Sequence, residues 1–138
     1  MKYADLNCGD YFKLNDRVYI VCNTFSGNKI SFRIDPKDCG HKCIFNGTDE
    51  VEYISTYEYN NPYLSNVGGR CRLDSAPMGQ PLYAGETDEY IIKFTMSLAF
   101  FVSGERAGLI TVVNVENPYV EIVDHVYVKY AEGIRYEI

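Results

Sequence analysis

The residues of this chain best equipped for chemistry are Cys39-Gly40-His41-Lys42-Cys43, two thiols and an imidazole within five positions. Such a cluster suits Zn²⁺, but a closed structural site takes four ligands, and Cys71 is the one candidate for the fourth. The cluster therefore reads as a polar loop carrying a buried thiol, with no metal expected. Nucleophilic catalysis needs a nucleophile beside an oriented base. The two histidines, His41 and His125, sit in no triad spacing, and no nucleophile elbow, phosphate loop or HExxH run is present. The carboxylate pairs Glu50/Glu52 and Glu86/Glu89 could in principle do acid–base work, but exposed carboxylates of this kind are read as solubility groups. The expectation is a chain that is not an enzyme and holds no cofactor.

Binding chemistry is better represented. Asp49, Glu50, Glu52, Tyr53, Tyr57, Glu58, Tyr59 and Tyr63 crowd into one short stretch. Tyrosine supplies large contact area at low entropic cost, and carboxylates beside it complement arginine and lysine on a partner. These eight residues are expected to bind a host protein through a basic, nucleic-acid-binding surface. Two alternatives stand beside that reading. Gly68-Gly69-Arg70-Cys71-Arg72 sets two guanidinium groups beside a glycine pair, so Arg70 and Arg72 could hold a phosphate-bearing ligand such as a nucleotide signal. A structural virion or adaptor component, forming homo-oligomers, is the other.

Composition bounds these readings. The 138 residues carry a formal net charge of −6, and the thirteen Lys and Arg are scattered. A basic patch for a phosphate backbone is therefore missing, and direct nucleic-acid binding is not expected. The opening Met1-Lys2-Tyr3-Ala4-Asp5 has no apolar signal region, and the most apolar stretch, Leu98 to Val102, is far too short to span a bilayer. The expectation is a cytoplasmic protein of a bacterial host, with no membrane contact. Its five cysteines are then reduced and mostly small core fillers.

Thirteen Tyr, seven Phe and many Val and Ile favour pleated sheet over helix. Lys29 to Ile34 alternates with period two, Asn15-Asp16 is a tight turn, and the C-terminus reads as a hairpin around Ala131-Glu132-Gly133. One pattern is written twice. The first copy runs Leu6, Gly9, Asp10, Phe12, then Tyr19-Ile20-Val21, Ile30 to Ile34 and Asp49 to Ile54. The second runs Met78, Gly79, Leu82, then Tyr90-Ile91-Ile92, Ile110 to Val115 and Asp124 to Lys129. This predicts an all-β protein with little helix, made of a module over 1–56, an irregular connector over 57–75 and a second module over 76–138. The two modules form either tandem barrels or one shared sandwich.

The pattern Leu6-x-x-Gly9-Asp10-x-Phe12, the Asn15-Asp16 turn, Tyr19-Ile20-Val21 and the Asp49-x-Val51 ending resemble small SH3-like β-barrel proteins. The resemblance covers residues 5–55, with a looser echo over 76–130. Such proteins are frequent among accessory genes of bacteriophages and mobile elements, and some of this size and acidity are anti-defence factors, including anti-CRISPR proteins. The resemblance implies a β-barrel framework and a role in blocking host defence. It carries no catalytic residue.

Overall fold

The computed structural model describes residues 1–35, 38–58, 70–114, 119–123, 127–129 and 135–137. Among the described residues, fourteen short strands and two three-residue 3-10 turns make up the regular structure. The first sheet has five antiparallel strands: β1 (Tyr11–Leu14), β2 (Arg17–Asn23), β3 (Lys29–Arg33), β4 (Lys42–Cys43) and β5 (Glu52–Ile54), in the order β4-β3-β2-β1-β5. After β6 (Thr56–Glu58) comes a second sheet. It is built from β7 (Arg70–Arg72), β8 (Leu82–Ala84), β9 (Glu89–Lys93), β10 (Leu98–Phe101), β11 (Ile110–Val112) and β12 (Tyr119–Ile122), in the order β11-β10-β9-β8-β12-β7. β13 (Tyr127–Lys129) and β14 (Arg135–Glu137) join β6 in a third, three-stranded sheet.

Local chemistry explains the strands. Asn15 and Asp16 both take positive φ, 51° and 62°, the two-residue turn that matches strand twist and pairs Leu14 with Arg17. β2 is buried on both faces, as its unbroken Val18-Tyr19-Ile20-Val21-Cys22 run requires. The window from Phe94 to Arg106 holds β10, flanked by turns on both sides.

The two large sheets share one connectivity. β11-β10-β9-β8-β12 repeats β4-β3-β2-β1-β5 strand for strand. The hydrogen bonds outside the ladders repeat as well. The Gly9 amide donates to the Val21 carbonyl at 2.8 Å and that of Gly79 to Lys93 at 2.9 Å; the Leu6 amide donates to Tyr3 and that of Ala76 to Leu73. Gly40 donates to Arg33 and Gly108 to Phe101. The 3-10 turn Tyr3–Asp5 thus corresponds to Leu73–Ser75, and the second copy opens inside the stretch expected to be a connector.

The correspondence corrects the sequence alignment in three places. Tyr19 matches Ile91 and not Tyr90, because Tyr19 and Ile91 face the outer clusters while Tyr90 packs on the central one. A one-residue slip turns every side chain of a strand to the opposite face. The strand at Ile30 to Ile34 matches β10, and β11 matches β4. The strand at Glu52 to Ile54 matches β12, whereas β13 pairs with β6.

Burial follows the duplication. A central cluster takes Val18, Ile20, Cys22, Phe32, Ile34 and Ile54 from the first unit and Ile92, Phe100, Val102 and Val123 from the second. Two smaller clusters cover the outer faces: Tyr3, Leu6, Phe12, Tyr19, Val21 and Val51 on one side, Leu73, Ala76, Leu82, Ile91, Phe101 and Val120 on the other. The protein is therefore all-β with little helix, as predicted, and its sheets are open. Tandem barrels do not form, because each sheet spends its inner face on the other and leaves its outer strands unjoined. Of the two packings the sequence left open, the shared core is the one observed.

Candidate functional site

The acidic, tyrosine-rich stretch is divided by the fold. Asp49 is a turn residue: its carboxylate accepts from the Asn46 amide at 2.8 Å, and its carbonyl accepts from Tyr3. Tyr57 is buried in the central cluster, where its hydroxyl donates to the Ile34 carbonyl at 2.8 Å. It cannot touch a partner as the sequence suggested, because a tyrosine that covers core and caps a carbonyl has neither face nor hydroxyl to offer. Glu50, Glu52 and Tyr53 do reach the surface on and beside the edge strand β5. Glu50 pairs with the terminal amine of Met1 at 3.3 Å but keeps 72% of its side chain exposed. Tyr53 lies across from Phe12 and Glu52 across from Lys13. Glu58 lies in β6, paired with Tyr127. Tyr59 and Tyr63 lie outside the described residues.

The ligand-like cluster is separated too. Cys39 packs against the central cluster, and burial pushes its thiol up to about 12. Cys43 packs against the first outer cluster, where burial also raises its thiol. His41 is exposed between them. Cys39 sits in the turn over 38–40 and Cys43 on the short strand β4, so the two thiols reach different layers. Among the described residues no three His, Cys, Asp or Glu side chains gather as for a metal ion.

Arg70 and Arg72 are brought to a site of more definite shape. Both are exposed on β7, the edge strand of the second sheet, and both guanidinium groups lie over the ring of Tyr119, at 4.9 and 5.0 Å from its centre. β12 sets Tyr119 opposite Arg72 and Glu121 opposite Arg70, and its pairing with β8 sets Tyr83 opposite Glu121. The β8–β9 hairpin adds Gly85 and Glu86 to complete a recess of about 280 Å³. The Tyr83 hydroxyl donates to Asp88 at 2.7 Å, which orients the ring at the wall. Among the described residues, neither Arg70 nor Glu86 nor Glu121 has an ion-pair partner.

Compared with protein families, curated proteins and solved structures, the chain matches none. Its own two copies are accordingly the most informative comparison. Tyr83, Tyr119 and Glu121 were not singled out from sequence, and Glu86 was weighed only as a carboxylate paired with Glu89, since they reach Arg70 only through the pairing of β7, β12 and β8. The one available signal was the tyrosine content itself.

An ion pair lies at the turn end of the same hairpin, where Glu89 opens β9. Arg106 forms an ion pair with Glu89, with its Nε donating to Oε2 at 2.9 Å, and lies over the Phe101 ring at 4.0 Å. The guanidinium hydrogen bond holds the Glu89 carboxyl below its usual range, against a smaller opposing effect of burial. Its two partners satisfy one another, which makes it a structural bond.

Proposed function

We propose that this chain is a non-enzymatic, acidic binding protein that occupies a basic, nucleic-acid-binding surface of a host protein through Glu50, Glu52 and Tyr53. The observation that carries this reading is that all three are exposed at and beside the β5 edge, with Glu52 toward one face of the sheet and Tyr53 toward the other. Two carboxylates and one broad ring suit arginine and lysine side chains, and the net charge of −6 supplies long-range attraction to a basic partner. The resemblance of the opening pattern supports the finer reading, an accessory factor of a phage or mobile element that acts in the bacterial cytoplasm against a defence protein. Among the described residues, no helix is long and apolar enough to cross a membrane.

The test is affinity capture from bacterial lysate, with mass spectrometry of what is retained, followed by kinetics against the purified partner. Glu50→Lys with Glu52→Lys should slow association about tenfold or more, and added salt should slow that of the unaltered chain. Association indifferent to both would rule the β5 edge out as the contact.

A further inference from the structure

Duplication supplies an internal control, because each position in one unit has a counterpart doing the same structural work in the other. The counterparts of the second unit's β7–β12–β8 surface are Lys2 for Arg72, Glu50 for Tyr119, Glu52 for Glu121 and Lys13 for Tyr83. In the first unit these positions are plain charges that largely neutralise locally: Lys13 pairs with Asp16 at 3.6 Å and Glu50 with the Met1 amine. In the second unit two of them are tyrosines, the Tyr83–Tyr90 rings stand 5.1 Å apart, and the β8–β9 hairpin is longer than its two-residue counterpart at Asn15-Asp16. Stability does not demand these changes, since the first unit folds without them. What they add is a recess lined by two tyrosine rings, with Glu121 set between Arg70 and Tyr83 and Glu86 on the hairpin beside them.

We propose that the recess formed by Arg70, Tyr83, Glu86, Tyr119 and Glu121 binds a purine nucleotide whose base presents N–H donors. The ligand must carry three things to complement the site. An anionic group meets Arg70, whose fork matches phosphate oxygens, with Arg72 on the same tyrosine adding positive charge. A flat ring meets the tyrosine walls, where base stacking is favourable. Paired N–H donors meet Glu121 and Glu86, as carboxylates accept from base edges. Guanine, with adjacent N1–H and amino donors, satisfies the carboxylates best. The volume, at the small end of ligand pockets, fits one nucleotide more readily than a chain of them. This site is separate from the β5 edge, and its occupancy does not depend on the protein partner.

Calorimetric titration of the full chain with guanosine 5′-monophosphate, guanosine and inorganic phosphate tests the proposal. Saturable binding of the monophosphate is expected, at least tenfold tighter than either fragment. Arg70→Ala and Tyr119→Ala, shown folded by circular dichroism, should each weaken it tenfold or more, and Lys13→Ala, at the counterpart of Tyr83, should leave it unchanged. Arg70 is exposed on an edge strand, so its variant keeps the test open even if loss of the Tyr119 ring unfolds the sheet. Absence of saturable binding at millimolar monophosphate overturns the proposal. So does binding that phosphate alone matches, or that Arg70→Ala leaves intact.

Discussion

Phe32 and Phe100 stack with ring centres 4.4 Å apart and planes within 14° of parallel, and they occupy the same position in the two copies. Phe32 lies opposite Lys42 on β4, and Phe100 opposite Ile110 on β11, the corresponding edge. Equivalent residues that touch mark the place where a twofold relation passes through the core. The antiparallel pairing of β6 with β13, the strands that follow β5 and β12, obeys the same relation. Each sheet thus serves as the lid of the other, and neither copy has a complete core alone.

Shortening either ring should therefore loosen both sheets together. Phe32→Ala and Phe100→Ala are each expected to cost about 3–5 kcal/mol, read by urea denaturation. The double variant should cost less than the sum, because the second truncation removes a ring that has already lost its partner. Separate unfolding transitions for the two halves would contradict the shared core.

Lys93 occupies the fully buried position that Val21 fills in the first unit, and its ammonium donates to the carbonyls of Asp74 and Ala76 at 3.1 and 2.8 Å. In the first unit Lys29 reaches the corresponding carbonyls of Ala4 and Leu6 from a different strand, at 3.3 and 2.6 Å. In both copies a lysine ammonium thus caps the carbonyls at the end of the 3-10 turn. Lys93→Met should destabilise by about 1–3 kcal/mol, since two buried acceptors lose their donor. Lys29→Ala should cost less, because Lys29 is only half-buried and water can replace it. Denaturation midpoints of the two variants check the order.

Gly108 and Gly40 share a φ of +86°, but their surroundings differ. A Cβ on Gly108 would lie 2.4 Å from the Gly9 nitrogen and 2.6 Å from the Val21 oxygen, whereas on Gly40 the nearest atom is the Ile92 Cγ2 methyl at 3.3 Å. Gly40→Ala should therefore cost about 1–2 kcal/mol, mostly backbone strain with a slight crowding of Ile92. Gly108→Ala must also move backbone and should lower the melting temperature much further.

Glu89 links stability to pH. Its carboxyl is lowered in the folded state by Arg106, so it binds a proton less readily there than in the unfolded chain. That stabilisation is complete above the ordinary value of 4.5 and is lost as the pH falls through the lowered one. Arg106→Ala should flatten the acid limb of a stability–pH curve while leaving the slope near neutrality unchanged.

Thiol chemistry should report the layers. Cys22 is fully buried and Cys39 is pushed to about 12 by burial, so neither forms a reactive thiolate near neutral pH. Iodoacetamide at pH 8 is expected to leave both unlabelled until denaturant is added, as peptide mapping would show.

Much of the framework is legible in the residues. The Val-, Ile- and Tyr-rich alternation, the Asn15-Asp16 turn and the matched Gly9/Gly79 and Phe12/Leu82 positions announce a duplicated β protein before any fold is seen. The slip of Tyr19 against Tyr90 was not avoidable by eye, since two tyrosines look alike while facing opposite layers. Tyr57 looked like an interface residue for the same reason: its type does not say whether its ring meets solvent or core.

Period-two patterning, turn chemistry and internal repetition are local properties, set within a few residues, and they determined that this chain is all-β and built twice. Which faces meet, that Phe32 finds Phe100, that a lysine takes a valine's place under the second sheet, and that Arg70 lies over Tyr119 were decided only by strand pairing across tens of residues. Such pairing depends on how two sheets bury a common face, and that free energy exists only once the whole chain has come together.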